Sequence, residues 1–497
     1  MKLVSRRVAL MGLAAGAGVA VAACSTAPGS DEQPAEDDPG STDEPAAPDE
    51  SDEAPHHVVV TQPIPSAALE APTLLDVTRA VFDGATAVVV AATADVASAE
   101  ATARELGLPL LLDDAELAAE LDRLGTTTVI ASSPVDVGDR EVFAPGDDVE
   151  GLPLTPTAQD DVALLLDGET LAPGVAAALA AAGIEVVDTL DADPRTSSES
   201  VAAMRDAAGV LGLGAFQAPE RFADRVEAAK TLPELPGGGV APFPGRMMIA
   251  LYGHPSGPTL GVLGEQGPEA AVDRVNALAA EYQELTDTPV IGCFEIITTV
   301  ATAAAQRDGN YSGRTAIADL LPYIEAAEAG GVYVVLDLQP GLNDFLTQAQ
   351  EYEELLRRPN VGLALDPEWR LRPGQRHMTI IGQVEIDEVN ATGAWLADLV
   401  AEHQLPPKVL VLHQFQTRMI IDRGRLDTSR DEVQYLIHAD GHGTHGQKLE
   451  TWNALRPGLD EHTRLGWKNF IDEDSPMMTP AQTMQLVQPT PDFVSYQ

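Results

Sequence analysis

Cysteine is nearly missing from this chain: two residues in 497, Cys24 and Cys293. So sparse a supply excludes a disulfide-built scaffold. Basic residues are scarce too. Thirty Lys and Arg stand against 77 Asp and Glu, a formal net charge of -47. A body so charged repels phosphates and anionic lipid, so nucleic acid is not an expected partner; the charge favours solubility. The apolar run Val8–Ala23 is too short and too rich in Gly and Ala to span a bilayer. No Walker-type loop, Gly-x-Ser-x-Gly elbow or His-Glu-x-x-His helix occurs. The lone cluster GVLGLG (Gly209–Gly214) reads as a strand end. Aromatic residues make up 4%, and all four tryptophans lie beyond residue 360.

What is present begins with Lys2, Arg6 and Arg7 ahead of that apolar run, which ends Val21-Ala22-Ala23-Cys24. This ending resembles a bacterial lipobox, and Ser5-Arg6-Arg7-Val8-Ala9-Leu10 resembles a twin-arginine export signal. The resemblance implies that residues 1–24 hold a lipoprotein signal cleaved before Cys24, with lipidation of Cys24 and anchoring on the extracellular face of the cell membrane. Residues 25–56 are rich in Asp, Glu, Pro, Ser and Gly. They cannot bury enough surface to offset their ordering entropy and read as a disordered acidic tether. With Cys24 lipidated, Cys293 has no disulfide partner and reads as a small buried hydrophobe.

Over residues 57–232 short strands alternate with Ala-rich amphipathic helices. Strands are expected at Thr86–Ala92, Leu108–Leu112, Thr127–Ala131 and Val162–Leu166, helices at Val96–Leu106, Ala115–Leu124 and Gly174–Ala182. The alternation predicts a parallel α/β domain. Leu108–Ser133 (LPLLLDDAELAAELDRLGTTTVIASS) is similar to the cell-wall-binding repeat of Gram-positive surface proteins, but lacks its Phe-Ala-Asp-Ala-Leu motif and double-glycine turn. The likeness covers one repeat and implies wall binding. Residues 233–245 (PELPGGGVAPFPG) form a Pro/Gly linker.

Eight strand candidates follow in residues 246–497: Arg246–Tyr252, Val290–Glu295, Val332–Leu338, Val361–Asp366, Lys408–His413, Val433–Ala439, Thr463–Trp467 and Asp492–Tyr496. Helical patterns lie between most of them, at Pro268–Leu285, Thr315–Ala329, Asn343–Leu356 and Glu388–His403. Eight strand–helix units over about 250 residues predict a C-terminal (β/α)8 TIM barrel, with a short crossover after the fifth strand. Residues two apart share a strand face. In VGLALDPEWR, Val361, Leu363 and Leu365 are bulky, whereas Gly362, Ala364, Asp366 and Glu368 lie opposite. One face suits helix packing; the other turns polar toward the C-terminal end, where a barrel carries its site.

That pattern gathers candidate acids at a shared mouth: Glu295, Asp337, Asp366 and Glu368. Beside them, Tyr252, His254, Gln339, Trp369, His413, Gln414, His438, Asp440, Lys468 and Tyr496 are candidate substrate contacts. Crowded carboxylates raise one another's pKa, a cost that chemistry, a cation or a hydrogen-bonding ligand would explain. Paired carboxylates suit glycoside hydrolysis, where one acts as proton donor. Asp366-Pro367-Glu368 resembles the tail of the Asp-x-Glu motif of family-18 glycosidases, which implies Glu368 as acid and Asp366 as its partner. Val361 and Ala364 stand where that motif carries further aspartates. Trp369, Trp452 and Trp467 are candidate stacking platforms; Trp395 sits in a helical pattern and reads as core. The run HADGHGTHG (His438–Gly446) offers the ligand types of a metal-dependent hydrolase, although His442 and His445 read as parts of a Gly-rich loop. A third reading is a non-catalytic wall-binding protein. FEIITTVA, LDLQPG, LALDPEW and LHQF resemble an uncharacterised group of actinobacterial lipoproteins. That likeness implies a glycosidase-like barrel behind a wall-binding-like domain. The expected partners are a cell-envelope glycan and, through Cys24, the membrane; no cofactor is expected.

Overall fold

The computed structural model describes residues 56–159, 162–167, 171–189 and 192–497. The expected signal peptide, Cys24 and nearly all of the acidic stretch lie outside the described residues. Among the described residues, no helix is long and apolar enough to cross a membrane.

Eight strands close into an all-parallel barrel: β1 (Met247–Gly253), β2 (Val290–Ala301), β3 (Tyr333–Leu338), β4 (Val361–Leu365), β5 (Lys408–Gln414), β6 (Val433–Ala439), β7 (Arg464–Asn469) and β8 (Phe493–Tyr496). Closure comes from β1, which pairs with β2 on one side and β8 on the other. Each strand lies within two residues of its predicted span, save that β2 runs on to Ala301. Its overhang pairs antiparallel with Ser312–Arg314 on the rim.

Helices α1 (Pro268–Gln283), α2 (Ile317–Ala329), α3 (Phe345–Glu351), α4 (Ile386–Glu402), α5 (His445–Leu455) and α6 (Pro480–Leu486) cover the ring. The β5–β6 crossover has no α-helix; it holds short 3-10 turns at Thr417–Met419 and Arg423–Arg425 and a two-residue strand, Ile420–Ile421, paired with Val384–Glu385. The two-residue period separates two cores. Ile249, Leu251, Leu363, Leu365 and Leu412 pack outward among the helices. Met248, Cys293, Tyr333, Val335, Ala364 and Val411 fill the barrel interior. Cys293 is the buried hydrophobe expected; burial, with the charge of Glu295, pushes its thiol pKa up.

The stretch 233–245 does more than connect. Leu235 and Phe243 join the interior core, and the Phe243 amide donates to Gln434 Oε1 at 2.7 Å, near the start of β6. These side chains plug the barrel's N-terminal end, the end opposite the polar strand tips. Residues ahead of the plug carry two all-parallel four-stranded sheets. One joins Ala87–Ala91, Leu110–Leu112, Thr128–Ala131 and Glu141–Phe143; the other joins Ala67–Leu69, Val162–Leu166, Val186–Asp188 and Gly209–Leu213.

Candidate functional site

The barrel's C-terminal end opens on a cavity of about 530 Å³. Asp366, Glu368 and Asp440 supply its carboxylates. Tyr252, Trp369, Phe415 and Phe470 supply aromatic walls, and Gln339, Gln416, His442 and Lys468 are among its polar lining. The Lys468 ammonium sits 3.5 Å from the centre of the Tyr252 ring. Asp366 turns the chain at the end of β4: its Oδ1 accepts from the Glu368 amide at 3.1 Å, and a 3-10 turn over Pro367–Trp369 then presents the Glu368 carboxyl.

A second tier, with no solvent exposure, adjoins the basin: Glu295, Asp337, His413 and His438. Tyr252 donates to Asp337 Oδ2 at 2.9 Å and receives a 3.3 Å hydrogen bond from Gln339. His413 Nδ1 meets Asp440 Oδ2 at 3.0 Å, while its Nε2 lies 2.9 Å from Glu295 Oε1 and 3.7 Å from Asp337 Oδ1. His438 Nε2 meets the Ser495 hydroxyl at 3.1 Å, and its Nδ1 lies 3.8 Å from Glu295 Oε1. His413 and His438 are register partners on adjacent strands, which sets their ring centres 4.9 Å apart with the planes tilted by 58°.

The charges pull the carboxyls apart in acidity. Burial, helped by the charge of Asp440, pushes Glu368 up to about 7. Asp366 is raised well above its usual range by burial; His413 opposes this, and Asp337, Asp440 and Glu368 repel it further. Burial also lifts Asp337, to about 6, against the pull of His413. Burial alone would raise Glu295, but His413 and His438 bring it down to about 2. His438 itself is lowered by burial to about 3, which keeps the imidazole neutral.

Three expected contacts lie elsewhere. Tyr496 faces outward and its hydroxyl meets that of Tyr282 on α1 at 2.7 Å. Alternation along β8 puts Phe493 and Ser495 inside instead. Gln414 falls one residue past the inward His413 and is bound to Arg423 and to the backbone of the following turn. His254 is held by Ser256 and Thr315 at 2.7 and 2.9 Å, away from the acids. Two of the proposed platforms are core: Trp452 and Trp467 are 2% and 1% exposed and pack edge to face at 5.9 Å. Trp395 packs against the same outer core, as expected. Trp369 alone of the tryptophans borders the basin. In the His438–Gly446 run His438 and Asp440 join the buried cluster, and His442 lines the basin above it, its ring edge to face with Phe470 at 5.8 Å. His445 opens α5, because Thr444 and Gln447 form a capping box that ends the loop there.

Ser495, Phe415 and Phe470 escaped the sequence reading. Counting inward from Phe493 by twos would have found Ser495; the two phenylalanines sit just past strand ends and carry no local signal. Gly466 also matters. A Cβ there would lie 2.8 Å from His438 Cδ2 and from a Leu436 methyl. We expect Gly466→Ala to lower stability by about 1–3 kcal/mol through overpacking, read as a lower denaturation midpoint.

No protein-family model matches this chain, and no curated protein matches it. The fold and site define an α/β protein with a TIM-like barrel whose C-terminal basin is rich in carboxylates.

Proposed function

We propose that the protein is a surface-anchored glycoside hydrolase acting on cell-envelope carbohydrate, with Glu368 as the proton donor. The observation that carries this reading is the Glu368 carboxyl: half-buried on the basin wall, held near neutrality in acidity, and flanked by Asp366, Asp440 and the Trp369 indole. A glycosidase needs a carboxylic acid protonated at working pH and a second carboxylate facing the same sugar. Asp440, whose pKa is lowered by the hydrogen bond and charge of His413 against the effect of burial, is the group placed to receive the proton of an attacking water. The aromatic walls offer apolar faces to pyranose rings, whose hydroxyls Gln339 and Lys468 would hydrogen-bond.

The lipobox-like Cys24 supports anchoring outside the membrane. The repeat-like stretch ahead of the barrel supports contact with the wall: its strand Leu110–Leu112, helix Leu117–Leu124 and strand Thr128–Ala131 keep the repeat's order. Because the plug occupies the opposite end of the barrel, nothing from residues 233–245 blocks the basin.

The test incubates the full chain with purified envelope glycans and measures new reducing ends. Release is the expected result. Retention on glycan without any turnover would instead support the binding-protein alternative and remove the catalytic claim. Trp369→Ala should weaken glycan binding up to roughly tenfold while leaving the fold intact, since an aromatic contact is worth about 0.5–1.5 kcal/mol beyond its area. A KM raised with kcat little changed is the matching kinetic signature.

A further inference from the structure

We propose that Glu295, His413 and His438 bind one divalent first-row transition-metal ion of the zinc class, in the solvent-free tier beside the basin. This rests on different atoms from the glycan reading, and its test does not use hydrolysis.

Glu295 on β2, His413 on β5 and His438 on β6 each offer one donor atom, and these atoms all lie within 4.8 Å of one another. All three side chains are 0% exposed. Yet both Glu295 oxygens, His413 Nε2 and His438 Nδ1 have no hydrogen-bond partner. His413 Nε2 approaches Glu295 Oε1 at 2.9 Å, an ion-pair contact outside hydrogen-bond geometry, so a carboxylate and two ring nitrogens face one another without a well-formed hydrogen bond among them. Buried polar atoms are seldom left so, and three such atoms, one from each side chain, lying within 4.8 Å of one another call for an occupant.

The far side of each imidazole is secured. His413 Nδ1 is held by Asp440, and His438 Nε2 meets Ser495. Such outer partners fix the ring and direct the remaining lone pair inward, the arrangement common around metal-bound histidines. The two rings present different nitrogens because they approach from adjacent strands, with their outer partners on different elements.

Spacing and charge agree. A tetrahedral ion with N and O ligands at about 2.0–2.2 Å holds them about 3.4 Å apart. The contacts of 2.9 and 3.8 Å from Glu295 Oε1 bracket that value. Asp337 Oδ1 is also unpartnered, 3.7 Å from His413 Nε2, with its other oxygen fixed by Tyr252. It is placed to accept a hydrogen bond from water in the ion's fourth position. Glu295, Asp337, Asp366 and Asp440 crowd here with Lys468 as the neighbouring ammonium. A dication offsets the two carboxylates held ionised there, Glu295 and Asp440. Two imidazoles and a carboxylate are borderline ligands that favour zinc over calcium or magnesium.

The experiment uses untagged full-length protein, stripped with chelator, equilibrated with zinc chloride, desalted and analysed for metal. About one zinc per chain is expected, falling below a tenth in Glu295→Gln and in His438→Gln; cobalt in place of zinc should show the visible absorption of a tetrahedral site. A His442→Ala/His445→Ala double variant should keep its full equivalent. Should either ligand variant fail to fold, Ser495→Ala decides: it keeps every ligand but frees one imidazole, and should weaken zinc affinity roughly 10- to 100-fold. Wild-type protein with less than a tenth of an equivalent, Glu295→Gln or His438→Gln with undiminished zinc, Ser495→Ala with unchanged affinity, or loss in the loop variant would each overturn the proposal.

Discussion

Glu368→Gln should reduce glycan hydrolysis roughly 100- to 10,000-fold, the range lost when a positioned proton donor is removed. The amide keeps the shape of the acid and its place after the Pro367 turn, so kcat should collapse while glycan affinity changes little. The pH dependence has a definite sign. Glu368 acts as an acid and must carry its proton; with its pKa pushed up to about 7, chiefly by burial and then by Asp440, the protonated fraction falls as pH rises through neutrality. Activity should therefore decline on the alkaline side of about 7. Converting Asp440 to asparagine removes a nearby negative charge, so that alkaline limb should shift to lower pH. Rates unchanged in Glu368→Gln across the pH range would remove Glu368 from the mechanism, whatever the fate of the metal proposal.

The second large effect lies at the other end of the barrel. Asp431, just before β6, receives a two-pronged hydrogen bond from Arg225 at 2.8 and 3.0 Å and a third bond from Arg221 at 3.2 Å. Arg195 stands 3.8 Å away. Arg195 and Arg225 are 3% and 6% exposed and share a second carboxylate, Asp193. This network joins the segment ahead of the barrel to its N-terminal end. Removing Asp431 strands two buried guanidiniums with one acid between them. We expect Asp431→Ala to cost about 3 kcal/mol, the low end of the range for breaking a buried pair, because Asp431 is 27% exposed. Burial works to raise the Asp431 pKa, but the three arginines hold it well below the usual carboxylate range. A depressed folded-state pKa adds stability above the unfolded value near 3.9, and this is lost as pH falls below it. The wild-type advantage over Asp431→Ala in urea melts should thus be full at pH 7 and shrink below about pH 4. A midpoint unchanged at pH 7 would show that the clamp contributes no net stability.

Much of the barrel was legible in the chain because its signal is local. Alternation of bulky and small or polar residues in Val361–Glu368 is a two-residue period, and it correctly told the helix-facing side from the interior. The same rule placed Glu295, Asp337, His413, His438 and Lys468 on inward faces. Where the phase was misjudged, the error was one residue wide and complete. Tyr496 went outside and Ser495 inside, because a shift of one residue exchanges the faces of a strand. Trp452 and Trp467 looked like platforms because they flank strand ends. Their burial follows from α5 packing on the outer face of β7, a contact no local pattern reveals.

By itself, then, the amino-acid order determined that eight parallel strands would form, which of their tips would carry acids, and that the folded body would be strongly anionic. These are properties of residues close in sequence, set by side-chain alternation, turn chemistry and composition. Only the closed ring decided that Glu295, His413 and His438, 118 and 25 residues apart along the chain, would aim unsatisfied atoms at one another. It also decided that Phe243 would plug one end and that three arginines would grip Asp431. Those outcomes depend on strand register and on which nitrogen each imidazole turns inward, and both are set by partners distant in sequence.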